Sequence, residues 1–567
     1  MSFFDDASLA FLPSGAAGKD GKAYSIKPTD GTGDFTFSRG SNLSATRIGS
    51  DGLIEKGREN LILQSNQFDT TWTKSNTSVT SGQSGYDGST NAWKLEADSD
   101  GNGRRINQSI TQGGVSIFSV YVKAGTTDFI RLNLNGAGNC FFNISESSPS
   151  VLTSSDVNLI GSIQTIGNGW NRCSLLNLTG SSIIEVRINL ASGDNDLSAV
   201  TGDNIYIQDS QLEIGLAATE VISTGATTGK AGLLEDEPRF DYSGDCPSLL
   251  LEPSRTQLIG QTEYPSAFFG SDIEFTISPD GSLNAVKVIE QNTNSQHFVT
   301  FTSLNIVSGT TYAISFYCKK GSYSSIYVPL QSSKINANLS INFDTQSVTL
   351  AGPDIVINSE FIQSVGNGWY RVGFAATANS TGTMDFYACI SASLSSYQGD
   401  GTSYTEFYGF QTEAGSYPTS YIPNHSGGTI TRGTDYFDTG VLPSGILPDS
   451  TEWTIYVESE NVQGSQRFID GKNTIDVYPV SNNLRFYWRA DGSYLSSTSG
   501  SKIVARLSNG VGTDFQDGVQ TGTGARTGDY SGMRFQRENQ INSVGLKKMI
   551  IFPTALSDAD CITLTTI

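Results

Sequence analysis

The chain has 567 residues, too many for one hydrophobic core, so three to four domains are expected. Only 16% of them are charged, against roughly 25% in ordinary globular proteins; Ser, Thr, Asn and 61 Gly carry the polar share, and the long Ala/Glu/Lys/Leu runs of a helical protein are absent. The formal charge of −21 repels phosphate backbones and sets aside nucleic-acid binding as the main task.

The opening residues, MSFFDDASLAFLPSG, lack a basic leader region, and no run of 18 apolar residues occurs anywhere. The expectation is a chain with neither signal peptide nor membrane insertion, made soluble inside a cell. Residues 1–58 are Gly-rich, with Phe35, Phe37 and Leu43 as isolated apolar anchors. Such a segment cannot bury a core alone, so it is expected to be an extended arm lying on another surface.

Residues 59–222 and 255–424 read as two copies of one domain. Ile163-Gln-Thr-Ile-Gly-Asn-Gly-Trp170 returns as Ile362-Gln-Ser-Val-Gly-Asn-Gly-Trp369, and Ser119-Val-Tyr-Val-Lys-Ala-Gly125 returns as Ser315-Phe-Tyr-Cys-Lys-Lys-Gly321. Asn91-Ala-Trp-Lys-Leu95 matches Asn284-Ala-Val-Lys-Val288, and Gln211-Leu-Glu-Ile-Gly215 matches Gln411-Thr-Glu-Ala-Gly415. In each copy Asn-Gly stands between alternating runs, which predicts a two-residue hairpin with positive φ at both positions. Short β-branched strands with turn signals every 8–12 residues make each copy an antiparallel β-sandwich of jelly-roll type. Trp170 and Trp369 are expected as core pins rather than ligand contacts.

Within the first copy, Asp98, Asp100 and Asn102 imitate the first half of a calcium loop. Ser109 stands where the bidentate acid belongs, so an Asx/Gly turn is the stronger reading, with calcium as the only cofactor in view. Residues 223–254 and 425–449 read as connector and linker, with Gly and Pro punctuation.

Residues 450–567 form a third strand-rich unit. In Arg485-Phe-Tyr-Trp-Arg489, Phe486 and Trp488 share one face of a strand, while Arg485, Tyr487 and Arg489 share the other. The Arg/Tyr face, with Tyr494 nearby, is the candidate glycan contact; ordinary packing is the competing reading. Ser557 is placed to cap a short terminal helix, with Asp560 at the capping-box position.

No catalytic residue is assigned. Two histidines, His297 and His425, and no G-x-S-x-G elbow argue against nucleophilic hydrolysis. A glycosidase needs only two carboxylates and stays open as the rival reading, but the duplicated Glu213 and Glu413 read as structural. The six cysteines show no CxxC or Cys/His metal spacing; Cys173 and Cys318 fall in apolar strands, which predicts buried free thiols suited to a reducing cytoplasm.

Several motifs together resemble structural proteins of tailed bacteriophages, the fibre, spike and head-decoration class. They are Phe37-Ser-Arg-Gly-Ser-Asn-Leu-Ser-Ala-Thr-Arg47 running into Asp51-Gly-Leu-Ile-Glu55, Glu59-Asn-Leu-Ile-Leu-Gln-Ser-Asn66, the paired Gly-Asn-Gly-Trp blocks, and Pro418-Thr-Ser-Tyr-Ile-Pro423 followed by Thr431-Arg432. The copies resemble carbohydrate-binding-module jelly rolls, and Ile551-Phe-Pro-Thr-Ala-Leu-Ser-Asp558 resembles the closing strand of a concanavalin/laminin-G-like lectin domain. The resemblance implies a virion location after assembly in the host cytoplasm, docking to other virion proteins through the arm, and contact with host surface glycans. A homo-oligomer, dimer or trimer, is expected because the arm gains burial only against another chain. A secreted adhesin is a further alternative, and it needs a leader this terminus lacks.

Overall fold

The computed structural model describes residues 3–13, 18–19, 21–40, 43–331, 338–352, 355–391, 395–447, 451–464, 475–480, 483–488, 500–526, 530, 532–537 and 542–566. The architecture is all-β, built from antiparallel sheets.

The first sandwich pairs two six-stranded sheets. One runs Leu159–Gly167, Trp170–Asn177, Ser116–Ala124, Asn204–Ile214, Ala92–Ala97, Thr77–Gln83. The other runs Ser150–Ser154, Gly138–Asn143, Phe129–Asn135, Ile183–Ala191, Arg105–Gln112, Thr73–Ser75. The second sandwich repeats both orders. Ile355–Ser364, Trp369–Thr377, Thr311–Lys319, Tyr404–Ala414, Ala285–Glu290, Ser271–Thr276 form one sheet. Ser347–Ala351, Asn338–Asn342, Ser325–Gln331, Gly382–Cys389, Phe298–Ile306, Ala267–Phe269 form the other. The hairpin turns have the required geometry, with φ of 53° and 80° at Asn168 and Gly169 and 50° and 79° at Asn367 and Gly368. Trp170 and Trp369 are buried beside Tyr121 and Tyr317, each at the same place in its sandwich.

The first 58 residues correct the expectation of an extended arm. Leu9–Phe11 pairs with Ser543–Phe552, and Phe35–Ser38 pairs with Tyr436–Val441. The connector contributes too: Phe240–Asp241 pairs with Ser248–Leu251, which continues onto Ser543–Phe552. Phe11, Phe35, Phe37, Leu249 and Leu251 join Trp453, Ile455, Trp488 and Phe535 in one core. The third body is therefore discontinuous, drawing strands from the amino-terminal segment, the connector, the linker and the C-terminal region. The physical premise was sound, since this segment has no core of its own; the surface it covers belongs to its own chain. The oligomer expectation resting on a free arm loses that premise. The terminal helix Asp558–Thr566 starts at Ser557, whose hydroxyl accepts from Asp560 N at 3.2 Å, and lays Cys561 and Leu564 on the outer side of the large sheet.

Two buried charge networks lock the bodies together. Arg239 donates to Glu252 at 2.8 Å and pairs with Asp435; Arg39 reaches Asp435 at 3.3 Å and Arg432 reaches Glu252 at 2.9 Å. Burial works against the Glu252 carboxylate, yet Arg432 and Arg239 outweigh it and hold it far below the usual range. At the second network Lys56 meets Asp280 at 2.6 Å and Glu263 at 3.2 Å. Tyr408 and Tyr421 also donate to Glu263, at 3.0 and 3.1 Å.

Candidate functional site

Arg485 and Tyr487 lie half-buried on strand Asn483–Trp488, opposite the buried Leu484, Phe486 and Trp488. Tyr487 packs edge-on against Tyr478 with ring centres 5.7 Å apart. Arg489 and Tyr494, the other two members of that candidate, lie outside the described residues.

The loop at Asp98, Asp100 and Asn102 is organised by a cation of its own. The Arg104 guanidinium donates to the Ser99 and Asn102 carbonyls at 2.9 and 2.8 Å and also to the Asp100 carbonyl. The Asp100 carboxylate accepts from Thr201 N and Oγ1 at 2.7 and 2.8 Å. The carbonyls of this loop are thus engaged by a guanidinium and the Asp100 carboxylate by Thr201. Among the described residues no three His, Cys, Asp or Glu side chains gather as a metal site.

Glu213 and Glu413 serve as twin clasps. Each carboxylate accepts from the backbone N and hydroxyl of a threonine six residues on, Thr219 and Thr419, and from the amide of Gln211 or Gln411. Arg172 and Arg371 donate to those threonine carbonyls from the neighbouring strand. Both carboxylates are buried and fully engaged in holding a turn.

The outer face of the sheet containing Arg105–Gln112, Ile183–Ala191 and Phe129–Asn135 is different. The triplet Arg-apolar-Asn occurs once on each strand: Arg105-Ile-Asn107, Arg187-Ile-Asn189 and Arg131-Leu-Asn133. Side chains alternate between faces, so Ile106, Ile188 and Leu132 enter the core while Arg and Asn point outward. Antiparallel register sets Arg105, Asn189 and Arg131 in one row and Asn107, Arg187 and Asn133 in the next. The product is a two-by-three checkerboard, with diagonal neighbours about 7–8 Å apart.

Its hydrogen bonding is incomplete. Arg131 donates to Asn189 Oδ1 at 3.1 Å, Arg187 to Glu185 at 2.5 Å, Asn107 to Glu185, and Asn133 to the Gly138 carbonyl at 3.3 Å. Asn107 Oδ1, Asn133 Oδ1 and Asn189 Nδ2 are buried without a partner, although the residues are only 5%, 8% and 0% exposed. Burial first, then repulsion from Arg187 and Arg105, lowers the Arg131 guanidinium to about 10. A cavity of about 390 Å³, lined in part by Thr73, Ser109 and Thr228, adjoins one edge of this face. Sequence reading passes over the checkerboard; its signal is the thrice-repeated triplet on strands of matched alternation.

The second sandwich carries the same positions with other chemistry. Phe298 and Thr300 replace Arg105 and Asn107; Tyr387 and Cys389 replace Arg187 and Asn189; Tyr327 replaces Arg131. Phe269, 49% exposed, stacks on Phe298, which stacks on Tyr387, each at 4.6 Å between ring centres. One frame thus presents a cationic amide surface and an aromatic one.

The fold defines a chain of tandem antiparallel β-sandwiches joined to a third, discontinuous β body. No known family's profile matches the chain, and no curated protein does. Fourteen solved chains match. Among them is the N-terminal CBM22-1-CBM22-2 tandem domain from Paenibacillus barcinonensis Xyn10C, at 11% identity and a TM-score of 0.20, covering 67% of this chain and 100% of that one. At that TM-score the likeness decides nothing about function.

Proposed function

We propose that this chain is a non-catalytic glycan-binding protein of a tailed-phage particle, assembled in the host cytoplasm and meeting saccharides of the host surface through its sandwich faces. The observation that carries the binding reading is the checkerboard, where three buried amide atoms lack partners beside three arginines. A polyhydroxylated ligand carries donors and acceptors that match those three atoms. The exposed ring of Phe269 offers the second sandwich an apolar surface for sugar C–H faces.

The virion setting is supported by the motifs of the amino-terminal segment and the Pro418–Arg432 region, which supply Arg39, Thr46, Ser420 and Arg432 to the charge lock. The non-catalytic part is supported by the face itself. Glu185 is its one carboxylate, bound to Arg187 and Asn107, whereas glycosidases work with two carboxylates roughly 5–10 Å apart.

The full chain applied to a glycan array is expected to bind, and Asn189→Ala to lose that binding without a change in circular dichroism. Silence across the array rejects the glycan reading. New reducing ends after incubation with host capsular polysaccharide reject the non-catalytic one.

A further inference from the structure

We infer that the checkerboard of the first sandwich selects acidic saccharides, with Arg105, Arg131 and Arg187 taking carboxylate or sulfate groups and the three asparagines taking neighbouring hydroxyls. The inference rests on the glycan reading above and narrows its ligand class.

Three observations lead there. First, the three guanidiniums face a single carboxylate, Glu185; neither Arg105 nor Arg131 meets a carboxylate among the described residues. Three buried arginines elsewhere, Arg39, Arg239 and Arg432, each meet a carboxylate. In a chain of net charge −21, a cationic island this compact attracts anions that the remaining surface repels.

Second, the arginines press on one another: burial first, then Arg187 and Arg105, lower the Arg131 guanidinium. It stays charged at neutral pH, and a bound anion relieves the repulsion. A guanidinium presents its donors in a planar fork that matches carboxylate and sulfate oxygens.

Third, the orphan amide atoms alternate with the guanidiniums rather than clustering apart. Polyglutamate carries its carboxylates on flexible side chains and has no hydroxyls, whereas a uronate or sulfated sugar holds an anionic group and hydroxyls together on one ring. The second sandwich is an internal control, since its equivalent positions carry Phe298, Thr300, Tyr327, Tyr387 and Cys389 and no cation.

The test is calorimetric titration of the full chain with polygalacturonate, dextran sulfate, neutral dextran and polyglutamate, each at low and at moderate salt. Binding of one or both acidic saccharides is expected, weakening with salt, with neutral dextran and polyglutamate much weaker. Arg105→Gln and Arg131→Gln are each expected to weaken binding on the order of tenfold. Arg131→Lys, which keeps the charge and loses the fork, is expected to fall between. Polygalacturonate and dextran sulfate separate carboxylate from sulfate as the group recognised. Equal affinity for neutral dextran, lost in Asn189→Ala but untouched by the Arg→Gln changes, overturns the acidic selection and leaves glycan binding standing. Equal binding of polyglutamate overturns the saccharide part. No binding of any polymer overturns this inference and the glycan reading together.

Discussion

Asparagine 189 shows how much a single polar side chain reveals. It is fully buried on the outward side of a sheet, its oxygen held by Arg131 and its amide nitrogen unmet. An unsatisfied buried amide costs about 1–3 kcal/mol. Asp514 makes the opposite point. Burial raises its pKa to about 7 despite the Trp488 indole N–H at 3.0 Å and the nearby Arg526 charge. A carboxyl whose folded pKa lies above its ordinary value of 3.8 contributes most below that value and loses its contribution as pH rises through 7. Asp514→Asn is therefore expected to melt higher than the parent at pH 8 and no higher at pH 3.5. Thermal unfolding at the two pH values checks it.

At the scale of elements, the two Asn-Gly hairpins were legible because a two-residue turn is a local affair. An ideal Cβ at Gly169 meets only the flexible Lys123 side chain at 3.2 Å, so Gly169→Ala tests conformation rather than space. With φ of 80°, the cost is expected at about 1–2 kcal/mol, read as a lower urea midpoint. Strand alternation was equally legible: Leu484, Phe486 and Trp488 face inward as the pattern of that strand requires. The checkerboard was not, because each triplet is ordinary by itself and register alone brings the three together. The role of Arg104 was hidden for a similar reason. Loop spacing gives an Asx/Gly turn with only half of a calcium pattern, and only the folded loop shows a guanidinium among its carbonyls.

For the whole molecule, the duplicated sandwiches could be read from collinear sequence blocks, whereas the third body could not. Its strands are hundreds of residues apart, as with Leu9 opposite Ile551 and Phe37 opposite Phe437, and no local pattern encodes such partners. Deleting residues 1–38 is expected to expose the C-terminal core, seen as binding of a hydrophobic dye, while the first sandwich keeps its hydrogen-exchange protection. The Lys56 network should set the acid limit. Burial opposes the Glu263 carboxylate, but Lys56 and His425 bring it down to about 2 from 4.5. A depressed carboxyl contributes above its ordinary value and loses that contribution as pH falls toward the folded one. Stability is thus expected to drop between about pH 4.5 and 2, and Glu263→Gln to flatten that drop.

The pairing of Leu9–Phe11 with Ser543–Phe552 also sets a timetable. At roughly 5–20 residues per second, a ribosome takes about half a minute to two minutes to deliver the second strand after the first. Both sandwiches have time to fold in that interval, while Phe11, Phe35 and Phe37 wait uncovered. A chain cut short upstream of its last strands keeps those rings exposed, so unfinished copies advertise themselves to chaperones and proteases.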